Sequence, residues 1–315
     1  MDKKFEYYLQ EIYNKRIKEK FVIVLGSGFH KQAFMGTPDT FNCLTSWCCL
    51  LKAIDSKTSF SNNFLLDFEK IILKRTNNQE KKAAYKIEED ILKNVVIKIK
   101  GAQSKVLKRK DINYPIEILN SNFVSDVISL NFDLIPELLL NNNKKTKVNN
   151  LHEYKNKKSI INSTRYRVIK GINFWHPHGD LDKYDSLILG SRKYGLHINK
   201  IEKLRKRSKH QNKPDNYQKS WYDVLTHNPV IILGADISDM EWDIWNAIVN
   251  RERNYGKKEN NKIHRYPIFQ MRELNNNSSP KSNELWFRSL FDTPLLFNEQ
   301  WEKLVELFKK MTNES

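Results

Sequence analysis

The residues with the most chemistry to offer sit in four short motifs. The first is Trp-His-Pro-His-Gly-Asp at 175–180. His178 precedes Gly179, so its imidazole falls at a turn, and with an ordinary pKa of about 6.5 it could act as a general base near neutral pH. His176 and His178 also have H-x-H spacing with Asp180 nearby, a pattern that could hold a metal. His152, His197 and His227 stand isolated along the chain, so no second ligand cluster supports that alternative. The second motif is Ser-Leu-Asn-Phe-Asp at 129–133. Asn131 could hold a water or a ribose hydroxyl there, and Asp133 could accept from a carboxamide. The plain alternative is a polar strand end that opens a turn before Pro136. The third is Val-Ile-Val-Leu-Gly-Ser-Gly-Phe-His at 22–30, where Gly26, Ser27 and Gly28 would bring the backbone close to a phosphate. Lys31 occupies the place where the dehydrogenase fingerprint needs a third small residue, so a structural strand-to-helix turn competes with a nucleotide site. The fourth runs from Ile231 to Trp245: Gly234 ends an apolar run, and Ser238 and Asp239 could cap a helix or hold a ribose.

Each motif follows or touches an apolar run of strand length. Phe21 to Leu25 and Pro229 to Leu233 are unbroken apolar or β-branched stretches and Val127 to Leu130 is interrupted only by Ser129, the pattern of strands covered on both faces. Ser186 to Leu189 reads as a further run of this kind, and His264 to Met271 as another strand. Residues 164–175 predict a hairpin turning at Gly171. Between them the periodicity is helical. Phe5, Tyr8, Leu9, Ile12 and Tyr13 share one face of a helix over 5–18, and residues 60–123 are charged and mostly helical. Phe64, Phe68, Ile71 and Ile72 form one stripe in that segment, and Ile87, Ile91 and Val95 form another. Trp301, Leu304, Val305 and Phe308 predict a closing helix. Strands alternating with helices predict an α/β fold: a Rossmann-like parallel sheet flanked by helices, in one domain over 1–315, with a helical insertion at about 55–120.

Composition removes other classes. Among 315 residues no apolar run approaches the roughly 20 needed to cross a bilayer. The start Met1-Asp2-Lys3-Lys4 leads into no secretory apolar core, so a cytoplasmic protein without a membrane partner is expected. Three cysteines, Cys43, Cys48 and Cys49, are too few for a disulfide framework or a four-cysteine zinc site. Lys and Arg number 54 against 37 Asp and Glu, a net charge of +17. That surplus favours polyanions and makes direct nucleic-acid contact an open partner class, with Lys203, Arg205, Lys206, Arg207 and Lys209 as the densest basic segment. The Asn- and Lys-rich stretches argue equally for compositional bias with no binding role.

Taken in order, the four motifs resemble the sirtuin-like NAD-hydrolase family, in particular its prokaryotic defence effectors. The family's glycine phosphate loop is similar to Gly26-Ser27-Gly28-Phe29-His30, its Asn-containing motif to Ser129–Asp133, its His-Gly motif to His178-Gly179, and its late motif to Gly234–Asp239. His30 stands where the family loop has Ser, and Ser27 where it has Ala. The resemblance implies NAD as substrate, hydrolysed to nicotinamide and ADP-ribose, with Asn131 and His178 as the catalytic pair. It implies cofactor-binding roles for Gly26, Ser27, Gly28, Asp133, Gly234, Ser238 and Asp239, and no metal. The cysteines of the zinc module in deacetylating sirtuins are absent, which argues against deacetylation. The expected partners are a homo-oligomer or a separate regulator, such as a hexameric ATPase or a nucleic-acid-guided protein. The rival reading is an inactive sirtuin-like fold that binds nucleic acid or assembles a complex.

Overall fold

The computed structural model describes residues 20–33, 42–61, 63–76, 81–109, 116–142, 162–208, 219–235, 241–255 and 268–271, with isolated residues and short pieces elsewhere. Most of the predicted helices at 5–18 and 301–308, the start of the predicted strand at 264–271, and Ser238, Asp239 and Lys209 lie outside the described residues.

The apolar runs make the centre of the sheet. Strand β1 (Phe21–Leu25) is wholly buried and pairs in parallel with β2 (Val124–Ser129) on one side and β5 (Val230–Leu233) on the other. The predicted hairpin forms from β3 (Tyr166–Ile169) and β4 (Ile172–Trp175), the sheet's antiparallel pair, and β4 adds in parallel to β2. Its two-residue turn has Lys170 at φ 51° and Gly171 at φ 82°, the positive pair that a type I′ hairpin needs. With β6 (Ile268–Met271) and β7 (Leu295–Leu296), the order is β3-β4-β2-β1-β5-β6-β7. The fold is thus α/β with a mostly parallel, Rossmann-like sheet.

Alternate residues of β1 feed two cores. Phe21, Ile23 and Leu25 face one way, and Val22 and Val24 face the other, as the two-residue period of a strand requires. On the first face lie the helices that connect β1 to β2: α1 (Ser27–Ala33), α2 (Asn42–Thr45), α3 (Trp47–Ile54), α4 (Phe64–Thr76), α5 (Lys81–Lys108) and α6 (Ile116–Leu119). Leu50, Leu51, Phe68, Ile71, Ile91 and Val95 join the strand residues in one core. The helical segment predicted at about 55–120 is therefore one layer of the sandwich. The second face carries α8 (Gly190–Ser208), α9 (Trp221–His227) and α10 (Trp242–Tyr255), through Ile201, Trp221, Leu225, Ile244 and Ile248. The short helix α7 (Ile135–Leu140) follows β2. Helix α9 starts with a capping box in which Ser220 and Asp223 satisfy each other's backbone amides.

Ser186 to Leu189 is not a strand. A 3-10 turn at Tyr184–Ser186 leads into extended backbone whose Ile188 amide bonds to the His178 carbonyl at 2.8 Å, while Leu187 and Leu189 plug the first core. The run is apolar because it is buried, and it pairs with the histidine loop instead of the sheet. Among the described residues no helix is long and apolar enough to cross a membrane.

The chain leaves β1 toward β2 and later returns across it to β5, so the direction of winding reverses between β1 and β5. In open α/β sheets the crevice outside such a reversal is where ligands bind. Here the two loops are laced together: the Gly26 amide donates to Leu233 O at 3.0 Å and the Gly28 amide to Gly234 O at 2.7 Å. A methyl group on Gly234, which has φ +62°, would lie 2.1 Å from the Phe29 nitrogen and 2.4 Å from Gly28 carbon. Backbone contact thus requires this glycine. Gly234→Ala should destabilise the fold by about 2–5 kcal/mol, combining left-handed strain with backbone overlap. Gly101→Ala, on α5 with nothing within 4 Å, should be neutral or stabilising by up to about 1 kcal/mol. Denaturant unfolding of the two variants checks the opposite signs.

Candidate functional site

Four loops meet at the carboxyl edge of β1, β2, β4 and β5. Asn131, just past β2, is held by its backbone and by its amide. Its carbonyl accepts from His176 Nδ1 at 3.1 Å and Ser129 Oγ at 3.4 Å. Its Nδ2 donates to Gly26 O at 3.2 Å, tying the second motif to the third. Asn131 Oδ1 has no hydrogen-bond partner among the described residues, and the side chain is half-buried.

His178 is 5 % exposed and lies between two acceptors. Its Nε2 is 3.0 Å from Asp243 Oδ2, and the ring also bonds to the backbone of Leu130, the neighbour of Asn131. Burial opposes charge on the imidazole, but Asp243 outweighs burial and pushes its pKa up to about 9. A base titrating near 6.5 is thus not what this geometry provides: at neutral pH the ring is an imidazolium. Gly179 follows at φ +90°, where a Cβ would meet Ser186 O at 2.2 Å, so the turn after the histidine also needs glycine.

Asp243 organises the site, and the motif reading passed over it. It lies in the first turn of α10, and its carboxylate is fully buried. Oδ2 takes both His178 Nε2 and His197 Nε2, each at 3.0 Å, and Oδ1 takes the Tyr194 hydroxyl at 3.1 Å. Burial pushes the carboxyl up, but the two imidazoles hold it well below the usual carboxylate range. Burial lowers the pKa of His197, which stays neutral beside the charged His178. Isolated in sequence, His197 is in space part of this cluster. The sequence offers one general hint, that a carboxylate at a helix start is favoured by the helix dipole, and it names no partner.

The proposed H-x-H metal pair is not assembled. His176 turns away from His178 and bonds Glu137 Oε1 at 2.6 Å. Together with Arg165, Arg167, Asp180 and Asp182 it forms a second buried charge network, in which Arg167 Nη2 reaches both Asp180 and Asp182 at 2.7 Å. Among the described residues the one set with metal-ligand character is instead His178, His197 and Asp243, whose ligating atoms lie within 4.8 Å of one another.

Asp133 is committed elsewhere too. Oδ2 accepts from His30 Nε2 at 2.8 Å, and Oδ1 accepts from the Ile135 amide at 3.0 Å, which starts α7. Burial pushes its pKa up, but His30 and that amide more than compensate and hold it below the ordinary value. His30 thus clasps the first loop to the second. Ser27 and Gly28 are half-buried at the start of α1.

A comparison with protein-family models finds no match for this chain, and a comparison with curated proteins finds none either.

Because the His178 pKa in the folded protein lies above its unfolded value, its pairing stabilises fully below about pH 6.5 and is lost as pH rises through about 9. The difference corresponds to about 3 kcal/mol. Wild-type stability should therefore fall across that interval, and His178→Gln should flatten the decline. Urea unfolding at stepped pH measures both, and identical slopes for the two proteins would contradict the pairing.

Proposed function

We propose that this chain binds NAD across the carboxyl edge of its sheet and hydrolyses the bond between ribose and nicotinamide. The observation that carries the reading is the meeting of three sequence motifs at one point. Asn131 bonds Gly26, and His178 is held against Leu130, the residue next to Asn131. This point lies beside the reversal between β1 and β5, where dinucleotides lie in folds of this class.

In the proposed reaction the C1′–N bond breaks and its electron pair leaves with neutral nicotinamide. The ribose passes through an oxocarbenium-like state, water adds at C1′, and one proton is released. Asn131 has an Oδ1 without a partner among the described residues to orient that water or a ribose hydroxyl, a contribution of position. Gly26, Ser27 and Gly28 border the place for the pyrophosphate, with Gly234 near a ribose. For His178 to accept a proton, its Nε2 has to leave Asp243. Away from that carboxylate the ring returns toward an ordinary imidazole pKa, and His197 and Tyr194 remain to keep Asp243 hydrogen-bonded. The resting arrangement is thus a restrained one. It fits the expectation that an NAD-consuming effector is controlled, by self-assembly or by a separate partner.

Nicotinamide release from NAD should be measured for wild type, Asn131→Ala and His178→Ala, at low protein concentration and at concentrations that favour assembly. Each substitution should lower the rate by about 100-fold or more while circular dichroism stays unchanged. Turnover indifferent to both removes the assignment. Salt-dependent DNA binding with no turnover at any concentration supports the rival binding module.

A further inference from the structure

Behind the histidine loop, between the 3-10 turn at Tyr184–Ser186 and the first half of α8, lies a cavity of about 250 Å³. This is far more than one water or one phosphate needs. Its lining includes Asn162, Ser163, Arg192, Lys193, His197 and Lys200. Asp185 is the one acidic residue among the lining residues. Arg192 is neutralised by a forked pair with Glu88, whose closest contact is 2.7 Å. The two lysines carry the surplus. Lys193 gives two of its three N–H donors to Asp185 O and Leu187 O, each at 3.0 Å, which leaves one over. Its burial lowers its pKa, so an arriving anion would meet an ammonium already poor in solvent. Lys200 makes no ion pair among the described residues.

A second polar group in the cavity wall has an unmet requirement. Asn162 is 6 % exposed, and its Nδ2 donates to Ser186 O at 2.8 Å and Pro177 O at 3.2 Å. Two carbonyls fix which end of the amide is which, and the Oδ1 that remains is buried with no hydrogen-bond partner among the described residues. An acceptor with nothing to accept from calls for a ligand donor, such as a hydroxyl. The cavity therefore combines spare cationic donors with an unanswered acceptor.

His197 joins this cavity to the candidate site. It is part of the cavity wall, it stacks on Trp221 at a ring separation of 6.3 Å, and its Nε2 reaches the same oxygen of Asp243 that holds His178. We propose that the cavity binds a small phosphorylated, hydroxyl-bearing molecule of the sugar-phosphate class, and that its occupancy is passed through His197 and Asp243 to His178. The phosphate lies on Lys193 and Lys200, and a hydroxyl donates to Asn162. Contact between the ligand and His197 moves that ring, and because His197 and His178 share one oxygen of Asp243, the setting of the restrained imidazole changes with it. The relay rests on the role proposed above for His178; the binding site does not.

Calorimetric titration of the full chain with ribose 5-phosphate, inorganic phosphate and ribose tests the site without NAD. Ribose 5-phosphate should bind more tightly than either fragment, and Lys200→Glu, at a partly exposed position, should weaken it by about tenfold or more with unchanged thermal stability. Lys193→Gln serves as an independent second variant with the same expected direction. No binding of ribose 5-phosphate, binding no better than phosphate alone, or binding that neither variant weakens overturns the site. For the relay, imidazole nitrogen resonances of histidine-labelled protein should shift at both His197 and His178 when ribose 5-phosphate is added. A shift confined to His197, or at neither ring, overturns it. These readouts succeed or fail whether or not the protein turns over NAD.

Discussion

One carboxylate oxygen shared by two buried imidazoles sets the working part of this molecule. Asp243 Oδ2 draws in the loop after β4 through His178 and helix α8 through His197, while Oδ1 takes Tyr194 from the same helix. A full negative charge in the interior is tolerated only with such company. Removing one partner of a buried ion pair commonly costs about 3–5 kcal/mol, because the remaining charge is stranded. The arrangement therefore holds three elements to one point, and it fixes the imidazole in a charged state that ordinary solution chemistry would not produce at neutral pH.

The glycine contacts give this cluster a stable frame. Gly26, Gly28 and Gly234 let two loops approach at backbone distance, so the ends of β1 and β5 act as one surface. His30 and Asp133 do the same for the loops after β1 and β2. The second network, from His176 through Glu137 to Arg167 and Asp180, braces the other side of the histidine loop. His176 and His178 are two residues apart, yet each is bound to a different acidic group. The motif looks like a metal pair in sequence and behaves in space as two separate anchors.

The sheet was legible because its signal is local. Unbroken apolar runs of four or five residues at Phe21–Leu25 and Val230–Leu233 leave few options other than buried parallel strands, and Gly171 marks the hairpin turn. The same rule overreached at Ser186–Leu189, since periodicity records burial and not hydrogen bonding. The motif residues Gly26, Asn131, His178 and Gly234 were readable as strand-end chemistry, and the structure brings them to one edge. Asp243 and His197 were not, because a pairing across 46 residues leaves no spacing rule to detect. The arginines were half-visible: Arg165 and Arg167, two apart in an extended segment, point to one face, but their acidic partners come from a loop beyond the hairpin.

The placement of the helical layer has a consequence for how the chain reaches its final state. Phe21 of β1 pairs with Val124 of β2, so the central contact of the sheet closes a loop of about a hundred residues and must wait for them. Until β2 follows, the all-apolar β1 lacks that neighbour. The helices α3 to α5 carry their own apolar stripes, and Leu50, Phe68, Ile91 and Val95 pack on the same face as Phe21, Ile23 and Leu25. They lie between β1 and β2 in the chain and can shield that strand before β2 exists, which makes the layer over the sheet a built-in escort during biogenesis as well as a wall of the finished fold.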